Sequence, residues 1–186
     1  MKQYLAGLLL ALAVAAPALA KTYSVDYSAS TVAFAGTHAS GPFTGKFGAW
    51  QAEIDFDPAS LAPSRLKVSF DPASATTGNA MYDGTLPQAD WFDVARFPAA
   101  TFTSTAIAAN ADGSYTATGQ LTIRDVTREI SFPFTLSGLD KAPVKATATF
   151  PLDRLAFNLG AKSDPKAEWV GQQIQITIDL VASPNS

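Results

Sequence analysis

The chain has 186 residues and a formal net charge of −3, with no cysteine and a single histidine. Acidic and basic residues are interspersed, so there is no basic stripe that would favour nucleic acid or an anionic membrane surface as a partner. Without cysteine, neither disulfide bonds nor thiol chemistry contributes to the protein. The length suits one domain with a sizeable core.

The first 20 residues have the pattern of a secretory signal peptide. Lys2 supplies a short positive region, residues 5–14 are apolar and uncharged, and Ala18-Leu19-Ala20 has the small-x-small pattern that signal peptidase cuts. The apolar run is about half of the ~20 residues that a membrane span requires, which disfavours a retained anchor. We therefore expect cleavage after Ala20, export, and a mature domain of residues 21–186.

After residue 21 the chain is dominated by alternation of apolar and polar residues, which is typical of antiparallel strands with one buried face. Strands are predicted at residues 31–38, 50–56, 65–70, 101–108, 114–123, 129–136, 144–150 and 173–180. Asp112-Gly113, between two alternating runs, is the strongest hairpin signal. The pattern predicts an all-β fold, an antiparallel up-and-down barrel of about eight strands, with a flat sandwich as the alternative.

Residues 75–97 lack this alternation. They begin with small polar residues and continue through Leu86-Pro87 to Asp90-Trp91-Phe92-Asp93. We expect a long connection with a short helical turn or two, laid across one end or side of the sheet. A connection of this length in a compact domain is usually functional or covers an apolar surface.

Side chains that could carry out catalysis are scarce. His38 is the only histidine, and it shares a strand face with Val32 and Phe34, which favours a core or pocket-mouth histidine over a metal ligand. A Ser-His-Asp triad would have to use His38, and no Gly-x-Ser-x-Gly elbow is present to expose a nucleophile. We therefore expect no metal site and no cofactor.

The carboxylates are better explained as turn residues. Asp57 precedes Pro58, and Asp90 is placed to cap a short helical turn. Two carboxylates facing one cleft would be needed for hydrolysis, and a sequence does not show such a separation. We expect no enzyme, and a hydrolase built on Asp55, Asp57 or Asp93 is the weaker alternative.

Aromatic residues are abundant, with 12 Phe, 3 Trp and 5 Tyr, and small residues fill many of the inward positions. An eight-stranded barrel with this lining either packs solid or holds one apolar, slender ligand, and composition leaves both outcomes open. The candidate lining residues are Phe34, Trp50, Phe70, Trp91, Phe92, Phe102, Phe132, Phe134, Phe150 and Phe157.

Five short strings occur in order along the mature chain. They are Ser30-x-Val32-x-Phe34, Gly45-x-Phe47, Asp90-Trp91-Phe92-Asp93 with residues 97–104, Gly119-x-Leu121-Thr122-Ile123, and Arg154-x-x-Phe157-x-x-Gly160. Together they resemble the YceI-like family of periplasmic lipid-binding proteins. The resemblance runs from about Tyr23 to Val181, nearly the whole mature chain.

The resemblance implies a lipocalin-like barrel in the periplasm, often a homodimer, with a long apolar pore that binds a polyisoprenoid or an isoprenoid quinone. Asp125 stands where the family usually has glycine, and we expect it to keep the left-handed turn conformation. Trp91 and Trp169-x-Gly171 resemble a subgroup found beside or fused to b-type cytochrome membrane subunits, which implies such a subunit as a partner.

The predicted function is therefore sequestration or transport of an isoprenoid lipid or quinone. A head group at the pore mouth would need one or two polar partners, and His38, Arg154 and Asp93 are the candidates. For Arg154, a hydrogen bond or ion pair that stabilises the fold is slightly favoured over a ligand role. A solid-core interaction module for a membrane cytochrome is the alternative function.

Overall fold

The computed structural model describes residues 20–185. The predicted signal peptide, except for Ala20, lies outside the described residues. The strands are β1 (Lys21–Val25), β2 (Thr31–His38), β3 (Gly41–Phe47), β4 (Trp50–Phe56), β5 (Arg65–Phe70), β6 (Ala75–Thr76), β7 (Ala100–Ala109), β8 (Tyr115–Ile123), β9 (Val126–Ser137), β10 (Val144–Asp153) and β11 (Gln173–Pro184). One α-helix, α1 (Ala80–Thr85), and 3-10 turns at Pro72–Ser74 and Leu155–Phe157 complete the described elements.

These strands form one antiparallel sheet that closes on itself. The order around the barrel is β1-β4-β5-β7-β8-β9-β10-β11, and β1 pairs with β11 to complete the ring. Tyr23 of β1 lies opposite Ile54 of β4 on one side and Pro184 of β11 on the other. The predicted eight-stranded barrel is thus confirmed, and the sandwich is wrong.

Three strands widen the barrel at one end. β2 pairs with the first half of β11 and β1 with its second half, so β1 and β2 follow one another along the same edge. β3 pairs with β2, and the short β6 pairs with β3. We call this end, where residues 77–99 and 158–172 lie, the mouth end.

Most strands follow the predicted alternation, and β2, β4 and β5 have the predicted bounds. Alternation did not predict β1 or β3. β1 has only 5 residues, and β3 contains two glycines and a proline, so neither presents a regular apolar face. The long connection with a short helix is confirmed by α1, which begins after the N-cap Asn79.

The turns show one success and one error. Gly113 has a φ of 84° in the β7–β8 hairpin, as Asp112-Gly113 predicts. In the β8–β9 turn the left-handed residue is Arg124, with a φ of 57°, and the expectation for Asp125 is wrong. Arg124 is held in this position because its Nη1 donates to the carbonyl oxygen of Asn158 at 3.0 Å.

Inside the barrel, small residues make room for aromatic rings. A Cβ on Gly119 of β8 would lie 2.7 Å from the ring of Phe102 and against the carbonyl oxygen of Thr103 on β7. Phe102 is a buried core residue. The glycine therefore lets a large ring lie flat against the strand beside it.

We expect Gly119→Ala to destabilise the protein by about 1–3 kcal/mol, because the added methyl group overpacks the Phe102 site. Gly84→Ala is the control, since no atom lies within 4 Å of its Cβ position and the residue is helical. The control should be neutral or stabilising by up to about 1 kcal/mol. Urea unfolding measures both, and equal effects of the two changes would contradict the packing argument.

Candidate ligand-binding cavity

The barrel is hollow along its axis. The lower chamber, between β1, β4, β5 and β9–β11, has a volume of about 120 Å³, and its wall of described residues exposes no polar surface. The upper chamber has about 160 Å³ and is likewise walled without polar surface. Both chambers share the wall residues Val32, Val68, Phe70, Phe102, Phe132 and Ile178. The two chambers therefore adjoin within the apolar interior of the barrel.

A third cavity, of about 240 Å³, lies at the mouth end between α1 and the loop of residues 158–172. It shares Phe43, Leu86, Trp91 and Val170 with the upper chamber, so the two spaces adjoin. Unlike the two chambers, this mouth cavity exposes polar surface in its wall. The interior thus changes from apolar to mixed polarity toward the mouth.

Stacked aromatic rings stand where the two chambers meet. Phe132 of β9 stacks on Phe150 of β10 with ring centroids 4.4 Å apart and planes at 13°. Phe102 approaches Phe132 at 5.4 Å. Offset stacked and tilted rings of this kind attract each other by about 0.5–1.5 kcal/mol beyond their burial. These rings narrow the interior between the two chambers and keep its wall apolar.

The structure brings nine of the ten predicted aromatic residues to the chambers. Trp50 and Phe134 line the lower chamber, Phe34, Trp91, Phe92 and Phe150 the upper one, and Phe70, Phe102 and Phe132 both. Phe157, in the turn after β10, is 2% exposed in the core cluster and lines neither chamber.

The sequence prediction named only aromatic side chains and omitted the aliphatic residues of the wall. They include Val32, Ala52, Leu66, Val68, Ala146, Ile176, Ile178 and Leu180. Each lies on the inward face of a strand, so the alternation of the sequence could have predicted these residues as part of the wall. The contacts of all these residues with a ligand stay a prediction.

Arg154 organises the mouth end from inside the protein. Its side chain is 1% exposed, and Nη2 forms a 2.7 Å ion pair with Asp164. The same guanidinium donates to the carbonyl oxygens of Leu159, Val170 and Gly171 at 2.6, 2.7 and 3.2 Å. Arg154 also lines the upper chamber, but the wall of that chamber exposes no polar surface. The polar atoms of Arg154 therefore bind the loop of residues 158–172 rather than face the chamber.

Asp164 completes this buried network. Its carboxylate accepts hydrogen bonds from the backbone N–H groups of Glu168, Trp169 and Val170 at 2.8, 3.2 and 2.8 Å. Burial raises the pKa of Asp164, but these N–H groups and the charge of Arg154 outweigh it, so the pKa lies below the ordinary value. The carboxylate is thus held ionised where it shapes the turn.

Asp90 and Trp91 join the two loops of the mouth end. The Asp90 carboxylate accepts from the backbone N–H of Lys162 and from the N–H and hydroxyl of Ser163, at 3.0, 2.8 and 2.6 Å. The Trp91 ring lies 5.5 Å from the Arg154 guanidinium, within cation–π range. Gly160 fits between them, since a Cβ there would lie 2.9 Å from both side chains.

Of the remaining polar candidates, His38 lines the mouth cavity. Asp93 is buried, has a φ of 49° and pairs with Arg96 at 3.3 Å, in a position that lines none of the three cavities. Asp55 and Asp57 belong to the far end of β4, where Asp55 pairs across the sheet with Arg65. The three carboxylates of the hydrolase alternative therefore share no cleft.

Two further findings concern residues 20–185. They contain no cluster of three or more His, Asp or Glu side chains arranged to hold a metal ion. No helix among them has the length and hydropathy needed to cross a bilayer.

A closed antiparallel barrel with an apolar interior and a mouth at one end defines a lipocalin-like binding protein. The chain belongs to the YceI-like family, since the model of the YceI-like domain matches residues 23–182. A UPF0312 protein of Pseudomonas savastanoi pv. phaseolicola is 34% identical over 148 residues, 77% of either chain. Family and fold point to a binding protein rather than an enzyme.

Solved structures agree with this assignment. BcnA of Burkholderia cenocepacia superposes with a TM-score of 0.81 at 32% identity, covering 86% of this chain and 100% of that one. A polyisoprenoid-binding domain of Saccharophagus degradans superposes with a TM-score of 0.67, covering 90% of this chain and 100% of that one. Its identity is 17%, so this likeness shows the fold alone.

We expect Asp164→Asn to destabilise the protein near neutral pH by about 3–5 kcal/mol, because Arg154 is left buried without its partner. The pKa of Asp164 is lowered by folding, so its stabilisation is present above the ordinary value of 3.8 and is lost as pH falls through the folded value. The difference between the two proteins should therefore shrink in acid. Urea unfolding across this pH range measures it, with exposed Asp140→Asn as the control. A difference independent of pH would contradict the ionised pair.

Proposed function

We propose that this protein binds an isoprenoid lipid or an isoprenoid quinone, with the apolar tail lying along the two chambers. The observation that carries this proposal is the pair of adjoining chambers whose walls of described residues expose no polar surface. A solid-core interaction module would have no use for such chambers. The protein acts by sequestering or carrying its ligand and performs no chemistry on it.

Burial of the tail supplies the binding energy. Each CH₂ group removed from water contributes about 0.8 kcal/mol in gross terms. Ordering of the tail and the cost of association subtract heavily from that sum. The surplus is still large enough that hydrogen bonds along the chambers are unnecessary. An apolar wall therefore suits a long tail and selects little among tails of similar shape.

The solved structures support the choice of ligand class. The Saccharophagus degradans domain, which has the same fold, is described as polyisoprenoid-binding. The signal-peptide pattern of residues 1–20 supports a periplasmic location, where an apolar molecule has to cross water. A homodimer, implied by the resemblance, belongs to the same proposal.

We expect organic extracts of the protein purified from bacteria to contain an isoprenoid lipid, detected by mass spectrometry. The double variant Ala52→Leu with Ala146→Leu fills the lower chamber, so the lipid per protein should fall about tenfold, equivalent to 1.4 kcal/mol. Ala33→Leu is the matched control, because it adds the same side chain on the outer face of β2, away from all three cavities.

The control should retain the lipid content of the unmodified protein. Absence of any lipid from repeated preparations of the unmodified protein would overturn the proposed function. Equal lipid loss in the control and the double variant would contradict the assignment of the chambers as the lipid-binding site.

Docking on a b-type cytochrome membrane subunit is a second candidate, favoured by two exposed side chains at the mouth. Trp169 is 61% exposed and Met81 is 71% exposed, and both line the mouth cavity. Large apolar side chains on a surface often mark an interaction site. We expect Trp169→Ser with Met81→Ser to reduce co-purification with such a subunit. Unchanged co-purification would exclude this surface.

A further inference from the structure

The mouth cavity differs from the two chambers in the polar side chains that line it. Among the described residues 20–185, its wall contains His38, four hydroxyl side chains and the buried Asp164 carboxylate, but no lysine or arginine. The hydrogen-bond partners of these groups decide which of them are available to a ligand. The inference below rests on the proposed function, since it concerns the head group of the lipid whose tail occupies the chambers.

The tautomer of His38 follows from its hydrogen bonds. The backbone N–H of Ser40 donates to Nδ1 of His38 at 3.1 Å, so Nδ1 of the neutral ring carries no proton. Ser40 Oγ lies 2.8 Å from the same Nδ1, and Tyr82 Oη lies 3.1 Å from Ser40 Oγ. Tyr82 therefore donates to Ser40, and Ser40 donates to His38. The proton of the neutral ring is left on Nε2.

Nε2 of His38 is available to a ligand. Within residues 20–185 no protein group accepts a hydrogen bond from this atom, and it is not among the buried unpaired atoms. The ring also contacts Tyr82, with centroids 5.1 Å apart, which limits its rotation. His38 lines the mouth cavity and thus has one oriented N–H donor that no protein group in the described chain uses.

The hydroxyl groups of the mouth have already donated their protons. Thr77 Oγ1 donates to Asp83 at 2.7 Å, and Thr85 Oγ1 to the carbonyl oxygen of Met81 at 2.8 Å. Ser163 Oγ donates to Asp90 at 2.6 Å. Tyr82 donates to Ser40, as described above. These oxygens offer a ligand lone pairs only, so they repel the oxygens of an anionic head.

Within residues 20–185, no cation of the mouth wall compensates for this repulsion. Arg154 forms an ion pair with Asp164, so the pair has no net charge, and its guanidinium also donates to four backbone carbonyl oxygens. Lys162 and Lys166 are exposed on the neighbouring loop and do not line the mouth cavity. A phosphate head would lose its hydration in contact with lone pairs and a carboxylate, without gaining an ion pair.

We propose that the mouth cavity is a head-group site for an uncharged acceptor, such as a quinone carbonyl, which receives a hydrogen bond from Nε2 of His38. The site excludes lipids with a phosphate or diphosphate head. Ser40 and Tyr82 are positioning residues, because they hold the imidazole in this tautomer and orientation. The indole N–H groups of Trp91 and Trp169, which also line the mouth, are further uncharged donors.

The test compares three lipids with one tail skeleton. They are the menaquinone with a geranylgeranyl tail, geranylgeranyl diphosphate, and phytane, which has no head. Their affinities are measured by competition with radiolabelled geranylgeraniol on the full mature protein. We expect the quinone to bind about tenfold more tightly than the diphosphate, which corresponds to 1.4 kcal/mol.

Variants of His38 separate the donor from the shape of the ring. His38→Phe removes the donor, and the ratio of quinone to phytane affinity should fall about fivefold, the effect of one neutral hydrogen bond. His38→Gln keeps an N–H donor near the position of Nε2 and should restore most of the ratio. Tyr82→Phe keeps the ring contact but releases Ser40, so it should lower the ratio by a smaller factor.

A variant that adds charge tests the exclusion of anions. Thr85 is the last residue of α1 and lines the mouth, so Thr85→Lys places a cation at the head-group site. We expect this change to raise the affinity for the diphosphate about tenfold relative to the quinone, since charge-assisted hydrogen bonds to phosphate are strong.

The outcomes separate the two proposals. If none of the three lipids binds, the proposed function fails and the head-group site fails with it. If phytane binds as tightly as the quinone and His38→Phe does not change their ratio, the tail site stands and the head-group site is overturned. Preferred binding of the diphosphate to the unmodified protein would also overturn it.

Discussion

The buried guanidinium of Arg154 is the constraint on which the mouth end depends. It gathers Asp164 and the carbonyl oxygens of Leu159, Val170 and Gly171 around one planar fork of donors. A buried charge is tolerated only when it is paired and its hydrogen bonds are satisfied. The loop of residues 158–172 therefore has to fold back over the barrel in one way. Among the described residues, Arg154 is the only charged side chain in the upper-chamber wall, and the same pairing turns its polar atoms away from the chamber.

This constraint extends to the second loop of the mouth. Asp90 binds the backbone of Lys162 and Ser163, and Trp91 stacks on Arg154, so the two loops are joined. The bond from Ser163 to Asp90 joins the loops and, with the bonds of Thr77, Tyr82 and Thr85, uses the hydroxyl protons of the mouth, which leaves N–H groups as the available donors. Polarity at the mouth is thus a consequence of how the loops are held together. The chambers below it need no such arrangement, since they exclude polar atoms altogether.

Under the proposed function, the barrel and its mouth have different parts in ligand recognition. A tail buried against Val, Ile, Leu and Phe gains free energy in proportion to its apolar area, with little dependence on its chemistry. A head group is distinguished by its charge and by the direction of its hydrogen bonds, because a fixed donor such as Nε2 of His38 binds only an acceptor that lies along its N–H bond. Affinity then comes chiefly from the chambers, and selectivity comes from the mouth.

The sequence by itself determined the sheet, because a period of two places every second side chain of a strand inside the barrel. That rule predicted β2, β4 and β5 with their bounds and brought nine of ten aromatic candidates to the cavities. It failed where the pattern is short or interrupted, as in β1 and β3, and where two adjacent turn residues compete, as with Arg124 and Asp125.

Only the tertiary structure decided that the barrel is hollow, that Phe157 packs away from the cavities, and that Arg154 is occupied by protein groups. These outcomes depend on distances between residues remote in the chain, such as Asp90 and Ser163, which are 73 positions apart. A local pattern shows which way a side chain faces. It does not show how closely the opposite wall approaches, or which partner takes a proton.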